Sequence, residues 1–193
     1  MEESSMWPVE LAGVTETVVT TLGPNERWNV AALGVHAPAK GGHPTARTWG
    51  RTRTWRNFNE RGEGYVQFVR DPLLFVDAAL GIREIDEPVI DGAHAWVRVR
   101  VEEEDSGTTD GTEWVEWSLY VEDSAVENPT VPTFNRGYAA VVEATVAASR
   151  LDVDSYDTEQ LRERIDYFEE VVERSGGPRE KEAFDRLLDL VDN

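Results

Sequence analysis

The 193-residue chain contains no cysteine, which excludes disulfides, thiolate nucleophiles and thiolate metal ligands together. Lysine is almost missing: Lys40 and Lys181 stand against 17 arginines. Histidine is limited to His36, His43 and His94. None has an acidic pair at ligand spacing, so no metal site is expected. No apolar run approaches the ~18 residues of a membrane span. The amino terminus, MEESSMWPVEL, lacks the charged-then-apolar form of a secretory leader. The expectation is a cytoplasmic protein with no membrane association. GxGxxG, a glycine-rich phosphate loop ending in lysine, and a Ser-His-Asp order are also missing.

One absence is local. The chain carries 38 acidic residues and a net charge of −19, yet Arg27–Asn59 holds no Asp or Glu, where an even spread would put about six. The same window holds Arg27, Lys40, Arg47, Arg51, Arg53 and Arg56, with His36 and His43. A cationic window inside a polyanion invites an anion, and phosphate is the obvious candidate. Elsewhere the acids are dispersed over most of the chain, as in a halophilic cytoplasm where charged surfaces maintain solubility; an acidic partner-binding face is the alternative. In molar salt the Debye length is about 3 Å, so a ligand site must work by direct contact.

What is present reads as β followed by α. Residues 14–22 and 28–35 form a hairpin around Gly23-Pro24-Asn25-Glu26, and a third strand follows the Gly/Pro loop 36–44, near 45–50. A short helix is expected over 54–61, a strand over 65–69, and an apolar helix opened by Asp71-Pro72. Alternation gives strands over 93–103 and 113–123, with the acidic, Gly/Ser/Thr-rich stretch 104–112 as a surface turn. After residue 130 the period turns helical: 134–150, rich in alanine, then 158–175 with Asp157 and Gln160 as a capping box, then 178–191. The fold class is mainly β (α+β). An antiparallel barrel of about six strands occupies 1–130 and a helical subdomain 131–193.

Two segments carry candidate site residues. In Thr48–Asn57, Arg forks and Thr hydroxyls alternate, and a helix start near Thr54 adds free N–H groups, a set that suits phosphate. Were 47–53 extended, Arg47, Arg51 and Arg53 would share a face. An edge strand using Arg and Thr for solubility is the alternative. In the second strand, Asn29 precedes Ala31, Ala32 and Gly34. Such small side chains either open the backbone to a flat ligand or fit the taper of a barrel.

The segments ETVVTT…NVAALGV, RTRTWRNF…GYVQFVRDPLLFVDAAL, FNRGYAAVVEATVAASR and GGPREKEAFDRLLDLV resemble a largely archaeal family of flavin-binding split-barrel proteins over nearly the whole chain. The resemblance implies a homodimer with FMN in grooves between subunits. It matches Thr52, Arg53, Thr54 and Asn57 to the phosphate contacts, and Asn29, Ala31, Ala32 and Gly34 to the strand lining the ring system. Arg51 neighbours the phosphate set; Arg136 either completes it or joins the two parts of the chain. The chain departs from the family at Ala32, where proline is common. The wider superfamily includes flavin reductases and pyridoxamine-phosphate oxidases.

The expected function is thus an FMN-dependent oxidoreductase with a nicotinamide or deazaflavin donor and no assigned catalytic residue. A flavin-storing or flavin-sensing module is the alternative. A nucleic-acid binder using Arg51, Arg53 and Arg56 beside Trp49 and Trp55 is disfavoured by the surrounding negative charge.

Overall fold

The computed structural model describes residues 6–39, 42–131 and 133–192. β1 (Val14–Leu22) and β2 (Trp28–His36) form a hairpin paired along their whole length, and Gly23 N–H donates to Arg27 C=O at 2.8 Å across its turn. β3 (Thr45–Trp49), α1 (Arg53–Arg61), β4 (Glu63–Phe68), α2 (Pro72–Leu80) and β5 (Arg83–Ile85) follow, then the long strands β6 (Ala95–Thr109) and β7 (Thr112–Val126). Pairing runs β1–β4–β6–β7–β3–β2 and returns to β1, so six antiparallel strands close into a barrel. The closure is narrow. β2 and β3 share only the pairs Val35–Ala46 and His36–Thr45, while the opposite end of β2 pairs with β5 over Trp28–Val30. This is the split barrel expected from the sequence.

Alternation places the barrel core. Val97, Val99 and Val101 of β6 point inward with Trp117 and Leu119 of β7, meeting Val19, Leu33, Val35, Ala46 and Val66. α1 contributes Phe58, 1% exposed, whose ring lies 5.5 Å from that of Trp117. Gly64 permits this approach, since a Cβ there would sit 3.0 Å from Phe58 Cε1 and 3.1 Å from Thr20 C=O.

Two expectations change. Residues 104–112 are strand over most of their length, and the turn is only Asp110-Gly111, both at positive φ (49° and 81°) as a two-residue hairpin connection favours. This ribbon runs past the core, so both its faces are largely exposed and its sequence loses the alternation that marks a strand. β5 was not expected at all; three residues are too few to show a period.

α3 (Arg136–Ala148), α4 (Thr158–Ser175) and α5 (Pro178–Val191) are capped as their sequences indicate. Asn135 accepts from the N–H groups of Gly137 and Tyr138, and this cap starts α3 two residues later than expected. Asp157 accepts from Glu159 and Gln160 N–H, and Glu180 accepts from Gly177 N–H at 2.8 Å.

The chain divides into two compact units, Met1–Val69 with Arg83–Thr130, and Arg70–Ile82 with Val131–Asn193. The reading of 1–130 as one barrel domain therefore differs at α2, which groups with the later helices. Its Leu73, Val76 and Leu80 join their core, and its Asp71 and Asp77 are bonded by Arg179 and Arg186 of α5.

Candidate functional site

The junction between β3 and α1 does not continue as an extended segment. β3 ends at Trp49, Gly50 turns the chain at φ 66°, and Thr52 caps α1 by accepting from Trp55 N–H at 3.2 Å. Arg47, Arg51 and Arg53 consequently do not share one strand face. Arg47 belongs to the barrel wall. Its guanidinium lies 4.1 Å from the Trp114 ring centre and donates to Glu116 at 3.0 Å, leaving a buried Nε without a hydrogen-bond partner.

The start of α1 is the most anion-ready feature of the barrel unit. A helix start carries N–H groups without intrahelical partners and the positive end of the dipole. No acidic residue lies in the first turn, and Thr52 and Arg53 are exposed there. Thr54 is buried. Asn57 is fully buried and consumed by structure: Nδ2 donates to Thr21 Oγ1 at 2.9 Å, and Oδ1 accepts from Arg56 Nε and Nη2 at 3.2 and 3.1 Å. Asn57 thus ties α1 to β1, a contact that its place in the motif does not reveal.

β2 divides its candidates between two faces. Asn29 and Ala31 share the parity of the inward-facing Leu33 and Val35, whereas Ala32 and Gly34 point the other way. Asn29 is buried; Ala31, Ala32 and Gly34 are half-buried. Arg136 opens α3 in the helical unit, where it lines a cavity of about 220 Å³ with Tyr167, Glu170 and Arg174.

The acid-free window is not acid-free in space. Distant strands bring carboxylates to its arginines: Asp86 is 2.8 Å from Arg27, Glu84 is 3.5 Å from Arg53, and Glu113 is 3.4 Å from Arg51. Arg51 and Glu113 border a cavity of about 350 Å³ that also takes in Trp55, Asn59, Glu103 and Trp114. Glu84, Glu113 and Glu116 were missed in the sequence because nothing local connects them to a segment about 30–70 residues earlier. The loop 36–44 is described except at residues 40 and 41, so Lys40 lies outside the described residues. The ring of His43 in that loop lies 4.3 Å from that of Tyr120, tilted by 47°. Among the described residues no three His, Asp or Glu side chains gather as a metal site, and no helix is long and apolar enough to cross a membrane.

A closed six-stranded antiparallel barrel, split at β2–β3 and followed by a helical unit, defines the class as a split-barrel protein with a helical extension. The chain belongs to the DUF447 family, described as a protein of unknown function: its N-terminal domain matches residues 15–128 and its C-terminal domain residues 135–189. A solved structure of an FMN-bound member of that family from Methanosarcina mazei is similar at 26% identity and a TM-score of 0.79, over 94% of this chain and 96% of the other. Looser likenesses extend to the styrene monooxygenase flavin reductase of Pseudomonas putida (13% identity, 62% of this chain and 84% of that one, TM-score 0.44). An FMN-binding protein of Thermus thermophilus is similar at 14% identity over 64% and 81%, with a TM-score of 0.42. The family resemblance carried by the sequence motifs is thereby shown.

Proposed function

We propose that the chain binds FMN through its barrel unit, as a homodimer in a salt-rich cytoplasm, and acts as a flavin-dependent oxidoreductase with a nicotinamide or deazaflavin donor. The observation that carries this reading is the similarity to the FMN-bound Methanosarcina mazei protein along nearly the full length of both chains. The donor set at the start of α1 fits a phosphate. Thr52 Oγ1 accepts from Trp55 N–H but keeps its own O–H to donate. The Arg53 side chain is 42% exposed and meets Glu84 through Nη1 at 3.5 Å, a contact loose enough to leave its fork open to a ligand. Thr54 and Asn57 hold the helix in place and act on the site indirectly. Along β2, the half-buried Ala31, Ala32 and Gly34 leave the backbone approachable by a flat ring. Arg51, engaged by Glu113, assists from the same junction.

Bound flavin would supply the hydride and electron chemistry. The chain's residues bind it, orient it and limit its contact with water. Protein purified as such or reconstituted with FMN should absorb near ~450 nm and bleach anaerobically with one of the donors. Light scattering should give about twice the 21.7 kDa of one chain. A colourless protein that takes up no FMN would overturn the reading.

A further inference from the structure

Glu84 joins the two segments that were assigned to the site separately. It lies on β5, in register with Asn29 of β2, and its carboxylate reaches Arg53 at the start of α1. Its two oxygens have different partners. Oε2 accepts from Asn25 Nδ2 at 3.0 Å and has Arg27 Nε at 3.9 Å, while Arg27 Nη2 donates to the Glu84 carbonyl at 3.1 Å. Oε1 faces Arg53 Nη1 at 3.5 Å. The first oxygen is thus anchored to the β1–β2 turn. The second makes a charge contact longer than a formed charge-assisted hydrogen bond, which lies near ~2.8 Å.

That asymmetry has a chemical consequence. A carboxylate held at its other oxygen by Asn25 can remain when another anion reaches Arg53, and its charge then stays beside whatever Arg53 binds. The loose contact with Arg53 is lost at little cost to a ligand offering shorter bonds. A phosphate monoester, with three acceptor oxygens, can do so, but its two charges are repelled by the remaining carboxylate. Resting on the reading of this site as the FMN phosphate site, we infer that Glu84 is the resident counter-anion of Arg53, neutralising it in the empty site and opposing an anion bound there. This holds FMN affinity below its attainable maximum.

The test is titration of wild-type protein, Glu84→Gln and Glu84→Asp with FMN, riboflavin and inorganic phosphate. Glu84→Gln preserves the shape and the acceptor for Asn25 while removing the charge. It should bind FMN and inorganic phosphate roughly three- to tenfold more tightly at low salt, with riboflavin affinity unchanged. Glu84→Asp, which keeps the charge, should stay close to wild type. Weaker FMN binding by Glu84→Gln with riboflavin unchanged would make Glu84 a support for Arg53 and overturn the inference, as would a parallel fall for both flavins. Should wild-type protein bind no FMN, the proposed function fails by itself. The inorganic-phosphate arm still decides the inference, because equal or weaker phosphate uptake by Glu84→Gln sinks it.

Discussion

The barrel unit and the helical unit solve the same packing problem with opposite side chains. The barrel core is built from β-branched and aromatic residues filling the inside of a closed sheet, with Phe58 of α1 wedged against Trp117. The helical core is built around Ala140, Ala144, Ala147 and Ala148, small enough for α3 to approach its neighbours closely, with Leu161, Ile165, Phe184 and Leu187 completing it. At Gly137 the approach is backbone on backbone: an added Cβ would lie 2.4 Å from Gly176 Cα. The difference shows where each unit is vulnerable. A barrel filled by large groups suffers from deletion, whereas helices packed through small groups suffer from addition. The candidate residues of α1 and β2 belong to the barrel unit, and Arg136 belongs to the helical unit.

Four substitutions test that contrast. Phe58→Ala should cost about 3–5 kcal/mol, read from denaturant unfolding, by leaving a cavity between α1 and the barrel wall. A loss below ~1 kcal/mol would mean that α1 is not part of the core. Gly137→Ala should cost about 1–3 kcal/mol despite the gain in helix propensity, because the obstacle is Gly176 backbone and not a movable side chain. A stabilised variant would refute close packing there. Arg53→Ala should weaken FMN binding at least tenfold, about 1.4 kcal/mol, in a flavin fluorescence titration. Arg136→Ala, in the helical unit, should leave that affinity where it was, and a comparable loss there would assign Arg136 a phosphate contact.

The smallest effect on stability belongs to Asp71. Burial by itself would raise its carboxyl, but Arg179, whose Nε and Nη2 reach its two oxygens at 2.9 and 2.5 Å, and the N–H groups of Leu73 and Leu74 hold it below its ordinary value. The folded state therefore favours the ionised form. The resulting stability is present above the unfolded value near 3.8 and is lost as pH falls through the lower folded value. Both side chains are more than a third exposed. Asp71→Asn, which can still cap α2, should cost no more than about 1 kcal/mol at neutral pH, and the gap to wild type should close below pH ~4. A gap that does not narrow at all as pH falls from about 4 to 2 would place the contribution in the cap and not in the ion pair.

Much of the fold was legible because the relevant signals are local. Val97, Val99 and Val101 announce a strand with one face inward. Asp157 and Gly177 mark helix ends through hydrogen bonds that span only three residues. The ribbon 104–112 was misread for the corresponding reason: with neither face buried, no alternation is written into it. The site was legible in part. Thr52 and Arg53 stand at a helix start as their motif indicates, whereas the tie that Asn57, matched to the same set, makes from α1 to Thr21 was not legible.

The amino-acid sequence by itself determined the strands and helices, their caps, the excess of negative charge and the absence of thiol chemistry, since each follows from residue type and spacing. It also determined that positive charge concentrates before Asn59. Only the tertiary structure decided what that charge meets. Strand pairing carries Glu84, Asp86, Glu113 and Glu116 from far along the chain to Arg53, Arg27, Arg51 and Arg47. Coulomb interaction depends on distance in space, and distance along a folded chain is set by which strands share hydrogen bonds.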